Sequence, residues 1–137
     1  MKGKIAFSIL LLLTVLSFSS CEDDPYYDDP FYEATDAICY YKWVDEYRNV
    51  DGFDCEQELI FNPDFTGREV ITRFDPYSPH YVSETHYFRW EWIDHHYPEN
   101  IYIRYDDGLS LYFEQVRIKP HRLEGYWDGQ FVTFEAL

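Results

Sequence analysis

The residues best placed to do chemistry together lie in the stretch DHHYPE, which holds Asp94, His95, His96 and Glu99. Imidazoles and carboxylates are zinc ligands, but they work only at spacings that let them converge. Adjacent histidines on a strand point to opposite faces, so His95 and His96 could share an ion only from a loop. No known zinc pattern fits, and the stretch reads as the polar tip of a hairpin with no metal. His80, His86 and His121 are scattered and read as incidental. The sequence has no G-x-S-x-G, H-E-x-x-H, P-loop or C-x-x-C motif. Carboxylate pairs carry no information in a chain with 26 acidic residues. The chain therefore reads as a non-enzyme that needs no cofactor.

The elements that must position these residues are strands. No segment keeps a 3.6-residue apolar period over three turns, whereas several alternate with period two. Candidate strands cover 38–46, 55–62, 68–74, 81–93, 100–106, 109–118, 122–127 and 130–136. They are separated by turn signals such as Asp51-Gly52, NPDFTG, DPYSP, Asp107-Gly108 and Asp128-Gly129. Short strands with regular turns predict an all-β fold, an antiparallel up-and-down meander barrel of about eight strands. Two turns test this reading internally. Asp128-Gly129 is the preferred pair for a two-residue type I′ turn. It sets Trp127 opposite Gln130 and Leu123 opposite Phe134, which joins their apolar positions on one face. An Asp106-Asp107-Gly108 loop likewise sets Ile103 opposite Leu111 and Ile101 opposite Phe113. The apolar phase then changes from Leu111 and Phe113 to Val116 and Ile118, which predicts a β-bulge near residues 114–115.

With those positions inward, Tyr87, Tyr102, Tyr112, Tyr126 and Phe131 fall on the outer face. The turns pair Tyr102 with Tyr112 and Tyr126 with Phe131. Such pairs stabilise a sheet by about 0.2–1 kcal/mol each. Contiguous exposed aromatic surface also forms binding platforms for a sugar or a partner. Both readings fit. Cys39 and Cys55 fall inward on neighbouring candidate strands. They suit either a disulfide, adding about 3 kcal/mol in the chain-entropy picture, or two buried thiols acting as small hydrophobes.

The first 36 residues have a different character. Lys2 and Lys4 precede an apolar run, IAFSILLLLTVL, and then the small residues Ser17, Ser19 and Ser20. This is the layout of a secretory signal, with an apolar run too short for a membrane-spanning helix. Small residues directly before Cys21 resemble the lipobox of bacterial lipoproteins. The resemblance implies cleavage before Cys21 and acylation of that residue, and two or more acyl chains give stable anchoring. The acidic CEDD that opens the mature chain resembles the export signal of Bacteroidota-type surface lipoproteins. It implies display on the outer membrane surface, the alternative being a periplasm-facing anchor. The expected organisation is a signal peptide over 1–20, a lipidated acidic tether over 21–36 and a β-barrel domain over 37–137. In the tether, Pro25 and Pro30 and an unbroken run of acidic charge favour an extended spacer. Its carboxylates do not follow the spacing of an EF-hand calcium loop.

Without the first 20 residues, the loss of Lys2 and Lys4 takes the net charge from −15 to −17. Nucleic acid demands a basic footprint, so it is excluded as a partner. Aromatic residues make up 21% of the chain, enough for a small domain to build a core. The order of several short motifs carries one further resemblance. Trp43, the F-x-x-D-x-T-G run from Phe61 to Gly67, the Phe88, Trp90 and Trp92 triplet, and the closing L-x-G-x-W…V-x-F from Leu123 to Phe134 are similar to small lipocalin-like lipoproteins of Bacteroidota. The resemblance implies a lipocalin-like barrel but not a ligand cavity, because fold does not fix function. Two classes remain. One is a binding module for a small apolar ligand, a glycan or a protein partner. The other is a structural or accessory envelope lipoprotein with no small-molecule ligand.

Overall fold

The computed structural model describes residues 30–137. A short helix, α1 (Pro30–Tyr40), leads into eight strands: β1 (Lys42–Arg48), β2 (Asp54–Phe61), β3 (Thr66–Phe74), β4 (Tyr81–Trp92), β5 (Ile101–Tyr105), β6 (Ser110–Lys119), β7 (Arg122–Trp127) and β8 (Gln130–Ala136). Each strand pairs antiparallel with the next, and β8 returns to β1 through Trp43↔Ala136 and Val44↔Glu135, closing an up-and-down barrel. Closure leaves no strand edge to pair with another chain.

Turn chemistry sets the register as the sequence predicts. Asp128 and Gly129 both take positive φ, 49° and 80°, as a type I′ turn requires. Trp127 pairs with Gln130 and Leu123 with Phe134. Ile103 faces Leu111 and Ile101 faces Phe113 across the β5–β6 loop. The β6–β7 ladder slips between Glu114 and Arg117, and Gln115 sits at φ 52°. This bulge switches the inward set from Leu111 and Phe113 to Val116 and Ile118.

One element departs from expectation. Residues 30–36, assigned above to an extended tether, and residues 38–40, assigned to the first strand, belong to the helix α1. Phe31, Ala34, Thr35 and Ile38 recur at helical spacing on one face, and that face packs on the barrel. Pro30 is no obstacle, because a proline at the first helical position loses no hydrogen bond. The folded domain therefore includes residues 30–36, which the expected boundary left in the tether. Cys21, the signal segment and the rest of the tether lie outside the described residues.

The helix crosses one end of the barrel, where it meets the β2–β3 and β4–β5 loops. Phe31 stacks against Phe65 at 6.3 Å and His95 at 4.8 Å. Two indoles bind the helix from below. Trp43 Nε1 donates to the Ile38 carbonyl at 2.8 Å, and Trp92 Nε1 donates to Thr35 Oγ1 at 2.9 Å. The Thr35 hydroxyl in turn donates to the Phe31 carbonyl at 2.7 Å. Behind this cap the adjoining half of the interior is full. Trp43, Phe61, Phe88, Trp92, Phe113 and Phe134 are buried with Leu59, Ile101, Ile103 and Leu123. Gly67 and Gly125 leave the room these rings need. A Cβ on Gly67 would strike the Phe88 ring, and one on Gly125 would lie 2.8 Å from the Glu114 carbonyl.

Of the two readings of Cys39 and Cys55, the disulfide is not formed, and both thiols are free. The reason lies in the register. Cys55 sits opposite Tyr47 toward the far end of β1, whereas Cys39 rides on α1 at the capped end. Burial pushes the Cys39 thiol up to about 11, with Asp36 and Asp64 adding to the shift. Denatured but unreduced protein is expected to take an alkylating group at both Cys39 and Cys55 in intact-mass analysis. A bonded pair would take neither.

Replacing Thr35 tests the cap. Thr35→Val keeps the shape but leaves a buried indole N–H unpaired, which costs about 1–3 kcal/mol. Urea unfolding should show that loss, and Thr35→Ser should recover most of it.

Candidate functional site

The inward positions change chemistry along the barrel. Near the cap they are apolar. Toward the open end the same alternation continues as Asp45 and Tyr47 after Trp43, Gln57 before Leu59, Glu69 and Ile71 after Gly67, His86 before Phe88, and Tyr105 after Ile103. These side chains surround an open cup of about 520 Å³, walled on its other side by Leu109, Leu111, Trp127 and Val132. The barrel is thus half filled, with an aromatic floor and a polar upper layer.

Glu69 lies at the base of the cup and is only 5% exposed. Gln57 Nε2 donates to one carboxylate oxygen at 2.6 Å, and the Tyr105 hydroxyl donates to the other at 3.2 Å. A carboxylate has about four lone-pair sites, and protein donors fill two here. Burial raises the Glu69 pKa; the bonds from Gln57 and Tyr105 and the nearby His86 oppose that shift without cancelling it. Burial also raises the Tyr105 phenol, and the Glu69 charge raises it further. Asp45 is raised by burial as well. Two basic side chains line the cup and have other neighbours: Arg48 Nε bonds Asp54 at 3.1 Å, and the His86 imidazole lies 3.5 Å from Glu84. The cup can therefore receive a donor or a positive charge at its base and an apolar body along the Leu111–Trp127 wall.

The DHHYPE stretch forms the β4–β5 loop at the capped end, as a hairpin tip. Its Asp94 carboxylate accepts the His96 backbone N–H at 2.9 Å, and His95 stacks on Phe31. Among the described residues no three His, Cys, Asp or Glu side chains are grouped to hold a metal ion. The outer aromatic residues form two separate pairs. Tyr102 and Tyr112 lie 5.3 Å apart, and Tyr126 and Phe131 lie 5.5 Å apart. Tyr87 is exposed opposite Arg68. Phe131 reaches the rim of the cup.

Sequence reasoning missed the cup. Gln57 and Glu69 occupy inward positions in the period-two pattern, and a polar residue in an inward phase was the available signal. His86, read above as incidental, belongs to this group. No family model, curated protein or solved structure matches the chain.

A titration tests the electrostatics. A carboxyl whose folded pKa is raised holds its proton more tightly when folded, so stability falls as pH rises from the unfolded glutamate range through the folded value. Glu69→Gln removes that dependence. Its urea midpoint should exceed the wild-type value at about pH 8, with the gap shrinking toward about pH 4. An equal gap at both pH values would contradict the burial-raised carboxyl.

Proposed function

We propose that this protein is a lipid-anchored envelope binding module, tethered at Cys21 to the outer membrane and displayed at the cell surface, which holds a small amphipathic ligand in its open-end cup. The buried Glu69 cluster is the observation that carries the reading. A closed barrel built only for stability would continue its apolar core to the rim. Here a desolvated carboxylate, two neutral donors and a half-apolar wall stand where a ligand could enter. Burying a carboxylate is costly, and a ligand with a protonated amine would offset that cost. The reading is of a carrier or sensor rather than an enzyme, because the polar groups at the base of the cup, Gln57, Glu69 and Tyr105, bond one another.

The anchor and the mouth are compatible. Cys21 precedes Pro30 by nine residues, which span about 30 Å at most when fully extended. An acyl group on Cys21 would hold the capped end toward the bilayer and leave the cup facing away. The lipobox-like sequence, the acidic CEDD and the lipocalin-like order of motifs support this assignment. A second reading, an accessory lipoprotein with no small ligand, draws on Val50 and Tyr77. These exposed side chains sit on the β1–β2 and β3–β4 hairpins, two of the four at the open end, and suit a protein seated over the mouth.

Two experiments test the proposal. Cys21→Ala should move the protein from the detergent phase to the aqueous phase, and the wild-type N-terminal peptide should begin at Cys21 with acyl mass. Wild-type protein lacking acyl mass would overturn the anchor. Trp127 is the one tryptophan lining the cup, so its emission reports occupancy. Octylammonium should shift that emission, Glu69→Gln should weaken its binding by about 10-fold or more, in line with a charged hydrogen bond of about 1.5–3 kcal/mol, and octanoate should have no effect. No response to octylammonium would leave the accessory reading in place of the cup.

A further inference from the structure

The outer wall near the capped end carries a second feature that does not depend on the cup. Arg89 on β4 and Arg104 on β5 stand directly opposite each other. Like charges in that position destabilise a sheet. Lys42, Arg48, Arg68, Lys119 and Arg122 each have a carboxylate within ion-pair distance, whereas among the described residues Arg89 and Arg104 have none; Arg89 feels only the charge of the exposed Asp64. Scarcity is not the cause, since acidic residues outnumber basic ones 26 to 11. The two arginines line a groove of about 500 Å³ with Phe65, His95 and Tyr102. Asp64 and Glu91 line the groove too. The Asp64 carboxylate accepts the Thr66 hydroxyl at 2.6 Å and the Thr66 N–H at 3.0 Å, and it interacts with Arg89 through charge without an ion-pair contact. Glu91 stands opposite Tyr102, one row away from the arginines.

That next row holds Tyr102 and Tyr112, whose rings lie 5.3 Å apart. Two residues along a strand is about 7 Å, close to the width of one sugar ring. We infer that Arg89 and Arg104, with the Tyr102–Tyr112 pair, form a subsite for a sugar unit that bears a single carboxylate. The apolar face of the ring stacks on the tyrosines, and the carboxylate accepts N–H groups from the two guanidiniums, whose planar forks suit that anion. A dense polyanion is excluded by the same chemistry, because the chain's net charge of −15 repels it beyond the local pair. The occupant is a mostly neutral glycan with an acidic unit.

The test uses the full chain in detergent and two disaccharide probes, glucuronate–glucose and its carboxyl-reduced counterpart, followed by calorimetry. The acidic disaccharide should bind at least 10-fold more tightly than the reduced one, with affinity falling as salt rises. R89Q/R104Q should lose at least 10-fold, while its thermal midpoint stays level or rises because a like-charge pair is gone. Tyr112→Ala should weaken both probes. The inference is overturned by absence of binding, by equal affinity for the two sugars, by full affinity in R89Q/R104Q, or by heparin binding the wild type more tightly than the acidic disaccharide. Octylammonium titration of Trp127 reads the cup independently, so failure of either site is visible by itself.

Discussion

Two indole N–H groups hold this molecule's architecture in place. Trp43 and Trp92 are buried side chains whose only polar atoms must find acceptors inside the protein. Both find them on α1, at the Ile38 carbonyl and the Thr35 hydroxyl. Without the helix, two desolvated donors and the apolar face of the floor would open to water. The helix is 11 residues long, too short to be stable alone in water. Barrel and helix therefore depend on each other, and the end of the barrel that the helix covers becomes its closed end.

From that constraint the division of the interior follows. Large rings fill the capped half because Gly67 and Gly125 leave room at the wall for Phe88 and Phe113. The open half is lined by smaller and polar side chains that cannot fill the same cross-section. Glu69, Gln57 and Tyr105 satisfy one another there, and among the described residues no buried side-chain polar atom lacks a partner. The polar layer is thus a finished hydrogen-bond network rather than a packing fault. Two protein donors still leave lone pairs on the Glu69 carboxylate facing the cup, and that is why the cup carries the functional proposal.

The barrel was legible in the sequence because local chemistry and long-range pattern agree. Asp128-Gly129 accepts a type I′ geometry, and the register that it sets places Leu123 and Phe134 on one face. The bulge at Gln115 was visible as a change of apolar phase. The helix was not legible, because its apolar face covers only about three turns and begins inside an acidic, proline-containing stretch. Its stability comes from the indole bonds, which no periodicity reveals. Cys39 was misplaced for the same reason: on a helix it lies far from Cys55, which pairs with Tyr47 at the other end of β1. The cup was written in the sequence only as polar residues at inward positions. Such residues become a site only when closure brings β2, β3 and β5 around one space.

Exchange of the tryptophan indole protons with solvent, followed one by one by nuclear magnetic resonance, tests the half-sealed barrel most directly. The account predicts that the Trp43 and Trp92 protons exchange only as fast as the whole barrel unfolds, together with the backbone amides of β2 and β7. The Trp127 proton, at the wall of the open cup, should exchange orders of magnitude faster. If Trp43 or Trp92 exchanged as fast as Trp127 while those strand amides stayed protected, the helix would not seal the floor and the account would fail.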